Sequence, residues 1–250
     1  MTEPSRSQSY RDSHLDKGPE YHSGFLENPR RALLWRLEQN LLRRIVRRFL
    51  GDRPFDHLDF ACGTGRILTL LERYSRSSTG VDVSSSMLAV ARTQVQRAEL
   101  VQGDLTTSDL LAGRRFDLIT AFRFFPNAEP ELRRDAIRAL ASRLAPDGIL
   151  VFNNHRNLSS LPFRLVRLLR GRNERGMSHE EAQALVAGAG LRILARYHAG
   201  VVPEYETRTL RPRALVTVLE TAASHLPLAD LAEDVLYVCG HATTEARPGG

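Results

Sequence analysis

The residues with the clearest chemical purpose stand in one short run, Leu58-Asp59-Phe60-Ala61-Cys62-Gly63-Thr64-Gly65-Arg66. An apolar strand pattern ends there in a turn with almost no side chains, and a helical pattern starts at Arg66. Gly63 and Gly65 permit positive φ and let a ligand approach the backbone. The helix start beyond them offers unpaired N–H groups to a negative or polar ligand group. Asp59 lies just ahead of the turn, either as a ligand contact or as a cap. A dinucleotide-binding turn also wants a third glycine for helix–strand packing. Counting from Gly63 and Gly65, that position is Leu68, which argues against a nicotinamide cofactor with its pyrophosphate here.

Other reactive residues fall at the ends of later apolar runs. Asp82, 23 residues after Asp59, closes the first part of Gly80-Val81-Asp82-Val83-Ser84-Ser85-Ser86-Met87-Leu88. Asp104 follows in Gln102-Gly103-Asp104-Leu105, as a ligand contact or an ordinary loop acid. Phe116–Phe122 leads into Arg123-Phe124-Phe125-Pro126-Asn127, and Gly148–Asn153 leads into Asn154-His155-Arg156. His155 has the residue type of a general base, because imidazole titrates near neutrality. A hydrogen-bonded structural histidine is the alternative. Arg123 and Arg156 either clamp an anionic substrate group or lie in solvent. Cys62 reads as a small buried side chain rather than a nucleophile, with no base placed beside it.

The elements that position these residues alternate. Strands are expected over Leu58–Ala61, Thr79–Val83, Ala98–Gln102, Phe116–Phe122, Gly148–Asn153, Leu191–Tyr197 and Val235–Cys239. Helices are expected over Arg66–Tyr74, Ser84–Arg97, Glu129–Leu144, Ser178–Ala187 and Arg211–Ser224, with a Pro146–Asp147–Gly148 turn before the fifth strand. Such alternation implies right-handed crossovers and a Rossmann-like, doubly wound, seven-stranded α/β sheet, mostly parallel. Before it, Leu33, Leu34, Leu37, Leu41, Leu42, Ile45, Val46 and Phe49 draw one helical stripe between Pro29 and Gly51. Residues 1–20 read as a disordered tail, 21–56 as a helical cap and 57–250 as the main domain. An amphipathic helix over Leu158–Arg170 marks a lid inserted at 156–177.

Together the segments resemble those of class I S-adenosylmethionine-dependent methyltransferases, in the branch similar to enzymes of ubiquinone and menaquinone biosynthesis. Asp59 through Gly65 is similar to the family's first motif, with Ala61 where many members have a further glycine. The resemblance covers roughly residues 55–155 and implies S-adenosylmethionine as cofactor. It implies that Asp82 binds both ribose hydroxyls, that Val83 and Met87 flank the adenine, and that Asp104 accepts from the adenine amine while Leu105 packs on the ring. Asp59, Ala61, Gly63 and Gly65 would also contact the cofactor, Phe122 at the end of strand four would lie beside its methionine part, and Tyr21 would reach that end from the N-terminal segment. The implied reaction is in-line methyl transfer to O or N of a small molecule, with His155 as base and Arg123 and Arg156 on the acceptor. Metal-dependent catechol-type relatives need carboxylates after strands four and five. Phe122–Pro126 has none and Asn153–Asn154 supplies only amides, so no metal is expected.

Composition sets the remaining bounds. The 250 residues are 42% hydrophobic and 26% charged, as in ordinary globular chains. No apolar run approaches the 18 or so residues of a membrane span. Two cysteines make no disulfide scaffold, so a reducing cytoplasm is the expected compartment. The net charge is +6, from 34 Arg and one Lys against 29 acids, a ratio that points to coding bias. Seven of those Arg lie in Arg30–Arg48 and six in Arg156–Arg175. They are solvated helix faces, or they bind RNA or an anionic surface. The expected partner is a small-molecule acceptor, with the chain as monomer or homodimer. The alternatives are an RNA-directed methyltransferase and a non-catalytic protein that only binds the cofactor.

Overall fold

The leucine stripe after Pro29 winds into one helix in the computed structural model, α1, Pro29–Leu50. Gly51 follows it with φ +67°, a conformation that ends a helix readily when no Cβ is present. The structure describes residues 28–161, 164, 176–201, 213–224, 226 and 228–242. The expected tail, Tyr21 and most of the expected lid lie outside the described residues.

Among the described residues twelve further elements follow: β1 Asp56–Phe60, α2 Arg66–Leu71, β2 Ser77–Asp82, α3 Ser85–Gln94, β3 Glu99–Gln102, β4 Phe116–Ala121, α4 Pro130–Ala141, β5 Leu144–Asn154, α5 His179–Ala187, β6 Leu191–Ala199, α6 Arg213–Ala223 and β7 Asp234–His241. They form the expected seven-stranded sheet, in the order β3-β2-β1-β4-β5-β7-β6. β7 runs antiparallel to both of its neighbours, β5 and β6, whereas the other pairs are parallel. The chain therefore leaves β1 toward β2 on one side and later returns to β4 on the other. That reversal opens a crevice beyond the carboxyl ends of β1 and β4, where ligands bind in such sheets.

Local sequence explains most of the boundaries. Ser84 caps α3 by accepting from the Met87 N–H. Ser178 and Glu181 make the reciprocal capping box at the start of α5. The expected turn at Pro146–Asp147–Gly148 is not one. β5 already pairs at Leu144 with Phe116, then shifts register so that Ile149 meets Leu118. Pro146 and Asp147 sit in that irregular, exposed stretch, where a missing N–H breaks no ladder bond.

Two apolar layers cover the sheet. One packs Leu132, Ile137, Leu140, Ala182 and Val186 against Leu58, Ile119, Phe152 and Tyr237. The other packs Leu37, Leu41, Leu42 and Ile45 of α1, with Ile67 and Leu71 of α2, against Leu118, Val151, Leu236 and Val238. α1 thus supplies part of the core layer on its face of the sheet. Leu42 is fully buried, so Leu42→Ala should lower the unfolding free energy by about 2–5 kcal/mol. Urea denaturation reads it, and a loss under about 1 kcal/mol would show that α1 is not anchored in the core.

Candidate functional site

The turn after β1 is held open by three residues with positive φ: Ala61 at +52°, Gly63 at +54° and Gly65 at +79°. A Cβ on Gly63 would meet nothing within 4 Å, whereas one on Gly65 would press on Ala91 of α3 and on Val95 just after it, both at 3.2 Å. Gly63 therefore leaves room for a ligand above the backbone, and Gly65 lets α2 pack. Ala61 takes the left-handed conformation with a Cβ, at a cost of about 1–2 kcal/mol. The position suits the glycine that similar motifs carry there.

Asp82 ties the turn to the end of β2. Its Oδ2 accepts from the Gly63 N–H at 2.8 Å, and its Oδ1 accepts from the Ser84 N–H at 2.9 Å. These two bonds orient the carboxylate at the mouth of the crevice. Val83 and buried Met87 and Leu105 stand beside the crevice ends of β2 and β3. Asp104 bends back on its own loop, where Oδ1 accepts from the Thr106 N–H at 2.8 Å and the Thr106 hydroxyl at 2.6 Å.

Asp59 is nearly fully buried. Thr120 of β4 donates to its Oδ1 at 2.7 Å, and its Oδ2 has no hydrogen-bond partner. Burial pushes its pKa up to about 7; the Thr120 hydrogen bond and Arg66 pull it down, and Asp82 pushes it up. An orphaned buried acceptor is expensive unless a ligand donor meets it. Burial and the same two carboxylates push the Cys62 thiol up, as suits an inert core residue.

Beyond β4 and β5 lies a polar cluster that the sequence did not announce. Glu38 of α1 and Asp234 of β7 are both buried, 1% and 0% exposed. Asn153 reaches both, donating to Glu38 Oε1 at 3.2 Å and to Asp234 Oδ2 at 3.2 Å. Its carbonyl accepts from the Arg123 N–H at 2.6 Å, and the Arg123 carbonyl accepts from Asn127 at 2.6 Å. Arg123 is thereby pinned at φ +58°, with its guanidinium 3.4 Å from Glu38. Burial and the adjoining Glu38 carboxyl push Asp234 well above the usual carboxylate range, against the pull of Arg123 and the Asn153 hydrogen bond. Glu38 escaped the sequence reading because it looked like the lone acid of a basic helix.

His155 follows this cluster, half-buried, with Nδ1 unpartnered. Burial, then Arg123, Arg156 and Arg31, hold its pKa well below the ordinary imidazole value, so it is neutral at physiological pH. Phe122 belongs to the apolar layer under α1. Trp35 of α1 lies against Arg66 at the start of α2, 5.2 Å from ring centroid to guanidinium carbon. The sequence-derived residues thus form two groups. Asp59, Ala61, Gly63, Gly65, Asp82, Val83, Met87, Asp104 and Leu105 surround β1–β3; Phe122, Arg123, His155 and Arg156 stand at β4 and β5. Among the described residues, no group of three or more His, Cys, Asp and Glu side chains is placed to hold a metal ion.

The glycine turn after β1 and the acid ending β2 are the features that carry the resemblance to class I methyltransferases. Residues 58–148 match the methyltransferase domain family. Over 140 residues it is 31% identical to the dTDP-3-amino-3,6-dideoxy-alpha-D-glucopyranose N,N-dimethyltransferase of Streptomyces fradiae, covering 55% of this chain and 48% of that one. Over 123 residues it is 32% identical to the demethylmenaquinone methyltransferase of Thermotoga maritima, covering 48% and 52%. The chain spans about half the length of these curated relatives. The fold is similar to that of magnesium protoporphyrin IX methyltransferase from Synechocystis PCC 6803 with bound SAH, at TM-score 0.64 and 14% identity over 93% of this chain and 98% of that one.

Asp59 yields a stability prediction. Its carboxyl is raised from an ordinary 3.8 to about 7, so the burden of burying it is absent below about pH 4 and grows until about pH 7. Asp59→Asn should therefore stabilise the ligand-free protein at pH 8, by up to about 4 kcal/mol. Thermal melts at pH 4 and pH 8 check this; an equal effect at both would contradict it.

Proposed function

We propose that the protein is an S-adenosylmethionine-dependent methyltransferase acting on a small-molecule acceptor, at O or N. The observation that supports this most is the Asp82 carboxylate, fixed by the Gly63 and Ser84 amides beside an open glycine turn. The residues present fit the cofactor: an orphaned buried acceptor at Asp59, space over Gly63, and a carboxylate at Asp82 held in place by two backbone amides. Asp82 would take the ribose hydroxyls, and Val83, Met87 and Leu105 would enclose the adenine with Asp104 at its edge. Asp59 and the 61–65 turn would line the methionine end, with Phe122 nearby. The cofactor, when bound, supplies an electrophilic methyl on a sulfonium, which is a good leaving group.

This chain's own residues then align and exclude. Arg123 and Arg156 would hold an anionic part of the acceptor at the β4–β5 end. His155, kept neutral, is in the form that accepts a proton from an acceptor hydroxyl or ammonium. α1 meets this end through Glu38 and the start of α2 through Trp35, with Tyr21 ahead of it in the chain. The relatives that act on an aminosugar and on demethylmenaquinone support a small acceptor. No described helix is long and apolar enough to cross a membrane; a cytoplasmic location remains part of the proposal.

Calorimetric titration with S-adenosylhomocysteine tests the cofactor site. Wild type should bind, and Asp82→Ala should weaken binding by at least about tenfold, or about 1.4 kcal/mol. A folded wild type that does not bind, or a variant that binds equally, would remove the assignment.

A further inference from the structure

Beneath the cofactor turn runs a buried line of polar side chains that the reaction itself does not use. His57 and Asp59 alternate onto one face of β1, and Asp59 pairs in register with Thr120 of β4. Thr120 Oγ1 lies 2.7 Å from Asp59 Oδ1 and 2.8 Å from His57 Nε2. His57 Nδ1 lies 3.2 Å from Ser78 Oγ, which lies 2.8 Å from Ser75 Oγ. His57, Thr120, Ser75 and Ser78 are all buried, and burial lowers His57 to about 3, so its ring stays neutral.

A neutral imidazole has one donor and one acceptor, which gives the line a direction. When Asp59 is ionised, the Thr120 hydroxyl must donate to it. Thr120 then accepts from His57 Nε2–H, and Nδ1 accepts from the Ser78 hydroxyl. Ser75 Oγ ends the line, 2.8 Å from Ser78 Oγ and 3.2 Å from the Glu72 carbonyl that its hydroxyl also reaches. Each bond polarises the next toward the carboxylate. All of this support reaches Oδ1 and leaves Oδ2 without a partner.

We infer that Thr120 and His57 are positioning residues, a one-way chain of hydrogen bonds that holds the Asp59 carboxylate with Oδ2 free for the positively charged end of the cofactor. The inference rests on the cofactor reading above. It makes cofactor affinity depend on pH through one identified group. The charged and titratable groups facing Asp59 are Asp82 beyond it at the end of β2, Arg66 at the start of α2, the Cys62 thiol in the turn and His57 on its own strand. Asp82 opposes its ionisation, whereas Arg66 and Thr120 favour it. Since Asp59 ionises near 7 without ligand, binding that needs the carboxylate tightens as the pH rises through that value.

The test is S-adenosylhomocysteine affinity at pH 6, 7 and 8 for wild type, Thr120→Val and Thr120→Ser. Wild-type affinity should rise by about tenfold from pH 6 to 8. Losing a hydrogen bond to a charged group should place Thr120→Val about tenfold below wild type at pH 6, with the deficit shrinking to about twofold by pH 8. Thr120→Ser keeps the hydroxyl and should follow wild type. A flat wild-type profile, or a Thr120→Val deficit equal at every pH, overturns the inference while the cofactor site stands. No wild-type binding at any pH overturns both. Should Thr120→Val not fold, the carbon-13 resonance of the wild-type Asp59 carboxyl decides. It should titrate near 7 and move at least about one pH unit lower when S-adenosylhomocysteine is added; an unmoved midpoint overturns the inference.

Discussion

One carboxylate organises the crevice. Asp82 accepts the Gly63 and Ser84 amides, so the turn leaving β1 and the helix entering after β2 are fixed to a single side chain. Without that anchor, a turn containing three residues at positive φ would have many conformations open to it. With it, the Gly63 backbone, the Asp82 oxygens and the start of α2 keep constant relative positions before any ligand arrives. Preorganisation of this kind suits a reaction whose main requirement is alignment.

The second constraint is the balance of buried charge. Asp59 on one side of the crevice, and Glu38 with Asp234 on the other, are held away from water by strands that otherwise pack apolar side chains. Each is sustained by a neutral amide or hydroxyl, Thr120 in one case and Asn153 in the other. Asn153 also fixes Arg123, so the β4 exit loop, the end of β5, β7 and α1 share one hydrogen-bonded node. Truncating one member would leave the others buried and unpaired, the costly case for buried ionic groups. α1 is thereby part of the polar node at the ends of β4 and β5 as well as of the core.

Much of this was legible in the sequence. The strand and helix alternation gave all seven strands, because period-2 and period-3.6 patterns were separated by clear turn residues. Gly63, Gly65 and Asp82 stood out because core packing alone does not require a glycine turn between a strand and a helix, followed at a set distance by an acid. The polar node was not legible, since Glu38, Arg123, Asn153 and Asp234 are far apart in the chain and only the sheet order joins them. His57 and Thr120 read as ordinary strand residues until the β1–β4 register set them side by side. The antiparallel β7 and the early start of β5 depend on pairing partners, which local spacing does not encode.

The central claim is that Asp82 and the 61–65 turn receive an S-adenosyl nucleoside. A crystal structure of the protein soaked with S-adenosylhomocysteine tests it most directly. The account predicts both ribose hydroxyls at about 2.5–3.0 Å from the Asp82 carboxylate, with the backbone of Gly63 against the ligand. Ligand density elsewhere, or an Asp82 carboxylate that leaves the Gly63 and Ser84 amides to meet it, would contradict it.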